Sequence, residues 1–154
     1  MWRDYFAVAQ ILGIDRNPAC KEQEGERVSV HIGSQVDMKF LDEVTAGHTI
    51  DVIIDDGSHK WAHQIESFVH LWPKLQPGGI YVIEDMHTSQ ARHAASYGQP
   101  PSENAALFFS RLGRLIAANG LGADETPDPV LESIRKSVVQ VIFGPKYCII
   151  TKRG

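Results

Sequence analysis

The stretches IDVIIDDGSH (residues 50–59) and GIYVIEDMHT (residues 79–88) decide how this chain is read. Each is an apolar, β-branched run that ends in acids and a histidine, and one helix-length segment lies between them. A continuous apolar run suits a strand covered on both faces, and two such strands joined through a helix lie parallel in one sheet. Their carboxyl ends then open on one crevice, the place where sheets of this kind bind ligands. Asp55, Asp56, Glu84 and Asp85 would crowd together there, and carboxylates that close cannot all stay ionised unless something positive sits among them. A divalent cation meets that need.

Outward from these runs, strand and helix alternate. Residues 2–8 read as a short amphipathic helix and residues 10–14 as a strand with Asp15 at its end. Residues 27–32 (RVSVHI) alternate as a second strand stopped by Gly33. Val36, Phe40, Leu41 and Val44 then repeat at helical spacing behind Asp37, a natural cap. A helix over residues 59–72 carries Trp61, Ile65, Phe68 and Trp72 on its core face, and QPGG (76–79) is the turn before the strand 80–83. The polar, proline-containing stretch 86–101 reads as a long loop of the sort that covers active sites. Ser102 caps a helix over 103–119 that Gly120 ends. Residues 138–143 and 147–152 form an antiparallel pair across Gly144 and Pro145. The class is therefore α/β, a mainly parallel sheet closed at one edge by a hairpin.

At 154 residues with 43% hydrophobic content, the chain fits one domain able to bury a core without staples. A net charge of -4, with Lys and Arg scattered, argues against a duplex nucleic-acid binder, which needs a basic stripe. Cys20 and Cys148 have no CxxC spacing and point to a reducing cytoplasm. No apolar run approaches the roughly 20 residues of a membrane span, and the N-terminus does not resemble a signal peptide.

Mg²⁺ takes hard oxygen ligands, and Asp56, Glu84 and Asp85 supply them if the chain turns beyond the strand end. Any single acid among them is better explained by helix capping or a hydrogen bond to a backbone amide; the paired clusters favour a site. His59, near a helix start whose positive dipole end favours neutral imidazole, is placed to act as general base, with a capping or surface histidine as the alternative. HxxxH (His59, His63) suggests half a zinc site, but Lys60 stands where a zincin carries glutamate and no third soft ligand follows. His63 and His70 read as supporting or surface residues, and His87 as a weaker substrate contact. Asp15 sits where nucleotide-binding folds grip a ribose diol. The Gly33, Ser34, Gln35 turn either meets an adenine edge or is an ordinary strand-to-helix turn.

The ordered series GIDRNP, HIGSQVD, DVIIDDGSH, the Trp61 to Phe68 helix, PGGIYVIEDMHTS and the terminal hairpin resembles the macrocin O-methyltransferase family over nearly the whole chain. The resemblance implies the Rossmann-like class I fold, S-adenosylmethionine and Mg²⁺ as cofactors, and a sugar hydroxyl of a small-molecule glycoside as acceptor. It implies that Asp56, Glu84 and Asp85 hold the metal, that His59 takes the hydroxyl proton and that Asp15 binds the cofactor ribose, with Gly33, Ser34, Gln35 and Asp55 completing the cofactor side. Two departures stand out. Ser34 replaces an acid of the family's GDQ turn, and the first strand with its glycine-rich loop, expected ahead of Trp2, is missing. The sequence-level expectation is that Met1 is an internal start in a truncated product, or that the sheet has closed up or borrowed a strand from a second copy in a homo-oligomer. Gln90 and Ala91 also stand where relatives place aromatics.

Three functions compete at this level. The first is methyl transfer, for which a catechol would serve as well as a sugar. The second is a non-catalytic remnant that keeps the metal cluster without the methyl donor. The third is a metal-dependent hydrolase that uses the same acids with water as nucleophile.

Overall fold

The computed structural model describes residues 2–98, 103–118 and 128–154. The chain divides into two compact units, Met1–Ala46 and Gly47–Gly154.

In the first unit, β1 (Ile11–Asp15) and β2 (Val28–Ile32) pair in parallel, with Ile11 opposite Val28 and Asp15 opposite Ile32. Their link contains a 3-10 helix, Pro18–Gln23, capped by the Asn17 side chain on the Ala19 amide. A short helix, α1 (Trp2–Tyr5), precedes β1. Arg27 pins the segment after it, donating to the carbonyls of Phe6 at 2.8 Å and Ala9 at 3.0 Å. The helix α2 (Met38–Thr45) starts where its cap predicts, with the Asp37 carboxylate accepting from the Phe40 amide at 3.0 Å. Its apolar stripe buries Leu41 and Val44.

The second unit is a four-stranded sheet in the order β3-β4-β6-β5, built from β3 (Ile50–Asp55), β4 (Leu75–Ile83), β5 (Val138–Phe143) and β6 (Cys148–Lys152). β3 and β4 are parallel, whereas β6 runs antiparallel to both β4 and β5. The parallel core and closing hairpin are those expected from the sequence. Alternation along β4 and β6 sends Tyr81, Ile83, Cys148 and Ile150 into a core covered by α3 (Trp61–Leu71), α5 (Ala105–Ala117) and α6 (Pro129–Arg135). Phe68 of α3 lies at its centre, with ring centroids 5.1 Å from both Tyr81 and Phe109 and 5.3 Å from Trp72. Burial of one such ring contributes roughly 2–3 kcal/mol. Lys152 closes the far end of α3, its Nζ donating to the carbonyls of Trp72 at 2.9 Å and Leu75 at 2.6 Å.

Several local expectations change. The helix begins at Trp61, not His59, because His59 takes a left-handed backbone that a helix cannot contain. QPGG is a bulge within β4, not a turn ahead of it: pairing jumps from Ile50–Leu75 to Val52–Ile80. Gly78 there has φ +80°, and a Cβ on Gly79 would lie 2.8 Å from the Asp51 carbonyl oxygen. The stretch after Asp85 folds as 3-10 turns at Met86–Ser89 and Ala91–His93, followed by α4 (Ala94–Tyr97), because Thr88 and Ser89 are buried with hydrogen-bond partners. Ser102, Asn119 and Gly120 lie outside the described residues; α5 is capped by Asn104, whose side chain accepts from the Leu107 amide. The helix α6, capped by Asp128, was not anticipated.

Candidate metal and acid–base site

The two apolar runs end side by side, with Asp55 in register with Ile83. From there the acids separate by face. Asp55 keeps the strand alternation and turns into the helix-covered core, where it is 8% exposed. Its Oδ2 accepts from Ser67 Oγ at 2.6 Å and from the Tyr81 hydroxyl at 3.3 Å, so one carboxyl oxygen joins α3, β3 and β4. Burial, and then the charge of Asp55, push the Tyr81 hydroxyl well above the usual phenol range.

Beyond the strand ends, Asp56, His59 and Asp85 turn outward and converge. One ligand atom from each lies within 4.8 Å of the others. His59 Nε2 is 3.7 Å from Asp85 Oδ2 and 4.0 Å from Asp56 Oδ1, while its Nδ1 is buried and has no hydrogen-bond partner among the described residues. Both His59 (φ 57°) and Asp85 (φ 52°) have left-handed backbones, a conformation costing an L-residue roughly 1–2 kcal/mol and concentrated at functional sites. Thr88, 2% exposed, sits beneath both: its hydroxyl faces the carbonyls of Asp85 at 2.9 Å and His59 at 3.2 Å. Two carboxylates and an imidazole gathered this way suit a dication with a proton acceptor beside it, and a hard ion favours the oxygens.

Glu84 is not in that three-residue cluster. Its amide donates to the Asp55 carbonyl at 2.9 Å and its carbonyl accepts from Gln64 Nε2 at 3.1 Å, while it lines, with Asp85, Val82, Lys146, Tyr147 and Ile149, a cavity of ≈ 330 Å³. His87 Nδ1 lies 3.5 Å from Asp85 Oδ1, the carboxyl oxygen other than the one 3.7 Å from His59 Nε2. His63 bonds Ser58 Oγ at 2.7 Å and is not in the cluster.

The cofactor-side residues Asp15, Gly33, Ser34 and Gln35 belong to the first unit. Asp15 is exposed, and its Oδ1 accepts from the Asn17 amide at 2.7 Å; that bond holds its carboxyl below the usual range. The Gly33 amide donates to the Asp15 carbonyl at 2.9 Å, and a Cβ on Gly33 would lie 2.4 Å from the Phe40 ring. Ser34 Oγ accepts weakly from the Val36 amide at 3.4 Å, and Gln35 is half-buried. This is the strand-to-helix turn that the sequence left open as one of two readings. It leaves the exposed Asp15 carboxyl and the turn backbone as the groups that could meet a ribose and a base.

Sequence reasoning missed Ser67, Tyr81 and Thr88. Their signals are faint: a serine on the inward face of a core helix, and a tyrosine hydroxyl in the otherwise aliphatic run 80–83, each of which needs a buried polar partner.

No family model matches the chain. A curated relative from Streptomyces olivaceus, 8-demethyl-8-alpha-L-rhamnosyl tetracenomycin-C 2'-O-methyltransferase, is 41% identical over 100% of this chain and 40% of its own length. Demethylmacrocin O-methyltransferase of Streptomyces fradiae is 39% identical over 58% of this chain and 22% of its own. Among solved structures, the MycE methyltransferase of the mycinamycin biosynthetic pathway, in complex with Mg, SAH and mycinamycin VI, superposes with a TM-score of 0.81 at 29% identity, covering 99% of this chain and 38% of that one. The chain thus spans at most about two fifths of the length of these relatives. The fold is that of a class I methyltransferase, and the resemblance read from the sequence holds.

Proposed function

We propose, for a chain homologous over its whole length to sugar O-methyltransferases, that it is the metal-bearing part of an S-adenosylmethionine- and Mg²⁺-dependent O-methyltransferase acting on a sugar hydroxyl of a glycosylated small molecule. The observation that carries this reading is the convergence of Asp56, His59 and Asp85 at the ends of β3 and β4. Asp56 and Asp85 would hold Mg²⁺, with Glu84 supplying a third carboxylate from the adjoining position. Bound there, the ion would orient neighbouring hydroxyls and make one more acidic. His59 has the role of base: the proton goes to Nε2, the nitrogen facing the acids, which requires the ring hydrogen on Nδ1. Asp15, Gly33, Ser34 and Gln35 form the cofactor side, with Asp15 on the ribose. Asp55, held by Ser67 and Tyr81, serves that side only indirectly, by fixing the end of β3. Two unpaired cysteines agree with work in the cytoplasm, and among the described residues no helix is long and apolar enough to cross a membrane.

A second reading is a metal-binding piece that cannot hold the methyl donor. It is favoured by the place of the metal cluster, whose three residues all belong to the second unit. Calorimetry of the 154-residue chain with S-adenosylhomocysteine and with Mg²⁺ separates the two. Micromolar binding of both supports the methyltransferase; Mg²⁺ binding alone supports the second reading; binding of neither removes both.

A further inference from the structure

The first links in this inference are geometric. His59 and Asp85 carry two of the three left-handed non-glycine backbones among the described residues, and they stand on different segments, one ahead of α3 and one after β4. A residue in that conformation relaxes toward commoner angles unless its surroundings hold it. Thr88 bonds to both. Its hydroxyl proton faces the Asp85 carbonyl at 2.9 Å and the His59 carbonyl at 3.2 Å, and its amide also donates to Asp85 O at 2.9 Å. Its own carbonyl accepts from Trp61 Nε1 at 2.9 Å, tying it to the first residue of α3. Thr88 is 2% exposed, so water does not readily replace its hydroxyl as donor.

We propose that Thr88 is a positioning residue, a hydroxyl latch that holds the His59 and Asp85 backbones so that the Asp56, His59, Asp85 cluster is already assembled before a dication arrives. Thr88 touches neither ion nor substrate. Its effect passes through two carbonyls, and it lowers the reorganisation that binding requires. The inference rests on the cation site of the preceding section.

Thr88→Val keeps the shape and the β-branch and removes only the hydroxyl; Thr88→Ser keeps the hydroxyl. Titration of the full chain with Mn²⁺, followed by the electron paramagnetic resonance of free Mn²⁺, and with Mg²⁺ by calorimetry reads the outcome. Thr88→Val weakens binding about tenfold or more, as losses of groups that orient metal ligands do, and Thr88→Ser stays within about twofold of the parent. Parent-like affinity in Thr88→Val overturns the proposal, as does an equal loss in Thr88→Ser, which would make packing the cause. If the parent itself binds neither ion, the cation site fails on its own, and amide hydrogen exchange then judges Thr88. The Gln64 and Met86 amides, both hydrogen-bonded beside the latch, exchange about five- to tenfold faster in Thr88→Val if it holds these segments, the loss expected for one hydrogen bond. Unchanged exchange overturns it.

Discussion

The carboxyl ends of β1 and β2 and those of β3 and β4 occupy equivalent places, each at the ligand-binding end of a parallel strand pair, yet they are built in opposite ways. At the first, the acid satisfies itself locally: Asp15 takes the Asn17 amide at 2.7 Å, Gly33 donates back to Asp15, and Asp37 caps α2. At the second, Asp56 and Asp85 converge on His59, and two of these three residues, His59 and Asp85, have left-handed backbones. An acid that ends a strand is therefore weak evidence of function. Two acids that converge on a histidine, with His59 and Asp85 held in a costly backbone conformation, are stronger evidence, because such conformations concentrate at functional sites.

The largest expected effect tests that contrast directly. Asp56→Ala lowers Mg²⁺ affinity about 100-fold or more with little change in the unfolding midpoint, since Asp56 is an exposed side chain beyond the strand. Asp15→Ala leaves Mg²⁺ affinity at the parent value. Equal losses in the two variants, measured by calorimetry, would erase the distinction between the ends.

A smaller effect isolates the backbone. His59→Gly and His59→Ala both remove the imidazole and, in any active form of the protein, slow turnover by about 10² to 10⁴. They differ in the left-handed region, which glycine enters freely, so His59→Gly is more stable than His59→Ala by about 1 kcal/mol in urea unfolding. Identical midpoints would mean that φ 57° stores no strain.

The smallest effect belongs to the first end. The amide of Asn17 holds the Asp15 carboxyl below the ordinary aspartate value of 3.8, so the unfolded chain binds a proton more readily than the folded one as the pH falls through that value. Stability from this group is thus full above pH 3.8 and is lost as the pH drops through the folded value. Asp15→Asn, which keeps an oxygen for the Asn17 amide, shows a slightly shallower fall in urea midpoint between pH 5 and pH 3 than the parent. A steeper fall would contradict the assignment.

Much of this was legible in residues alone. The runs at 50–55 and 80–83 are apolar enough to be strands in any setting, Asp37 announces α2, and the repeat of Trp61, Ile65 and Phe68 fixes α3 to within a turn. The stretch after Asp85 misled because its polar residues look solvated; their partners, the carbonyls of His59 and Asp85 and the amide of Ala106, lie 3 to 29 residues away. Asp55 was grouped with its neighbour Asp56 although strand alternation sends the two to opposite faces, one to Ser67 and Tyr81, the other to His59.

By itself the sequence determined the strand runs, the parallel pairing of β3 with β4, and the presence of acids and a histidine at their ends, because hydrophobic periodicity and strand polarity are local properties of the chain. Only the tertiary structure decided which acids meet. Whether a side chain turns to the core or to the crevice depends on backbone angles at His59 and Asp85 that no residue type there prefers, and those angles are held by a threonine 29 positions from one of them and three from the other.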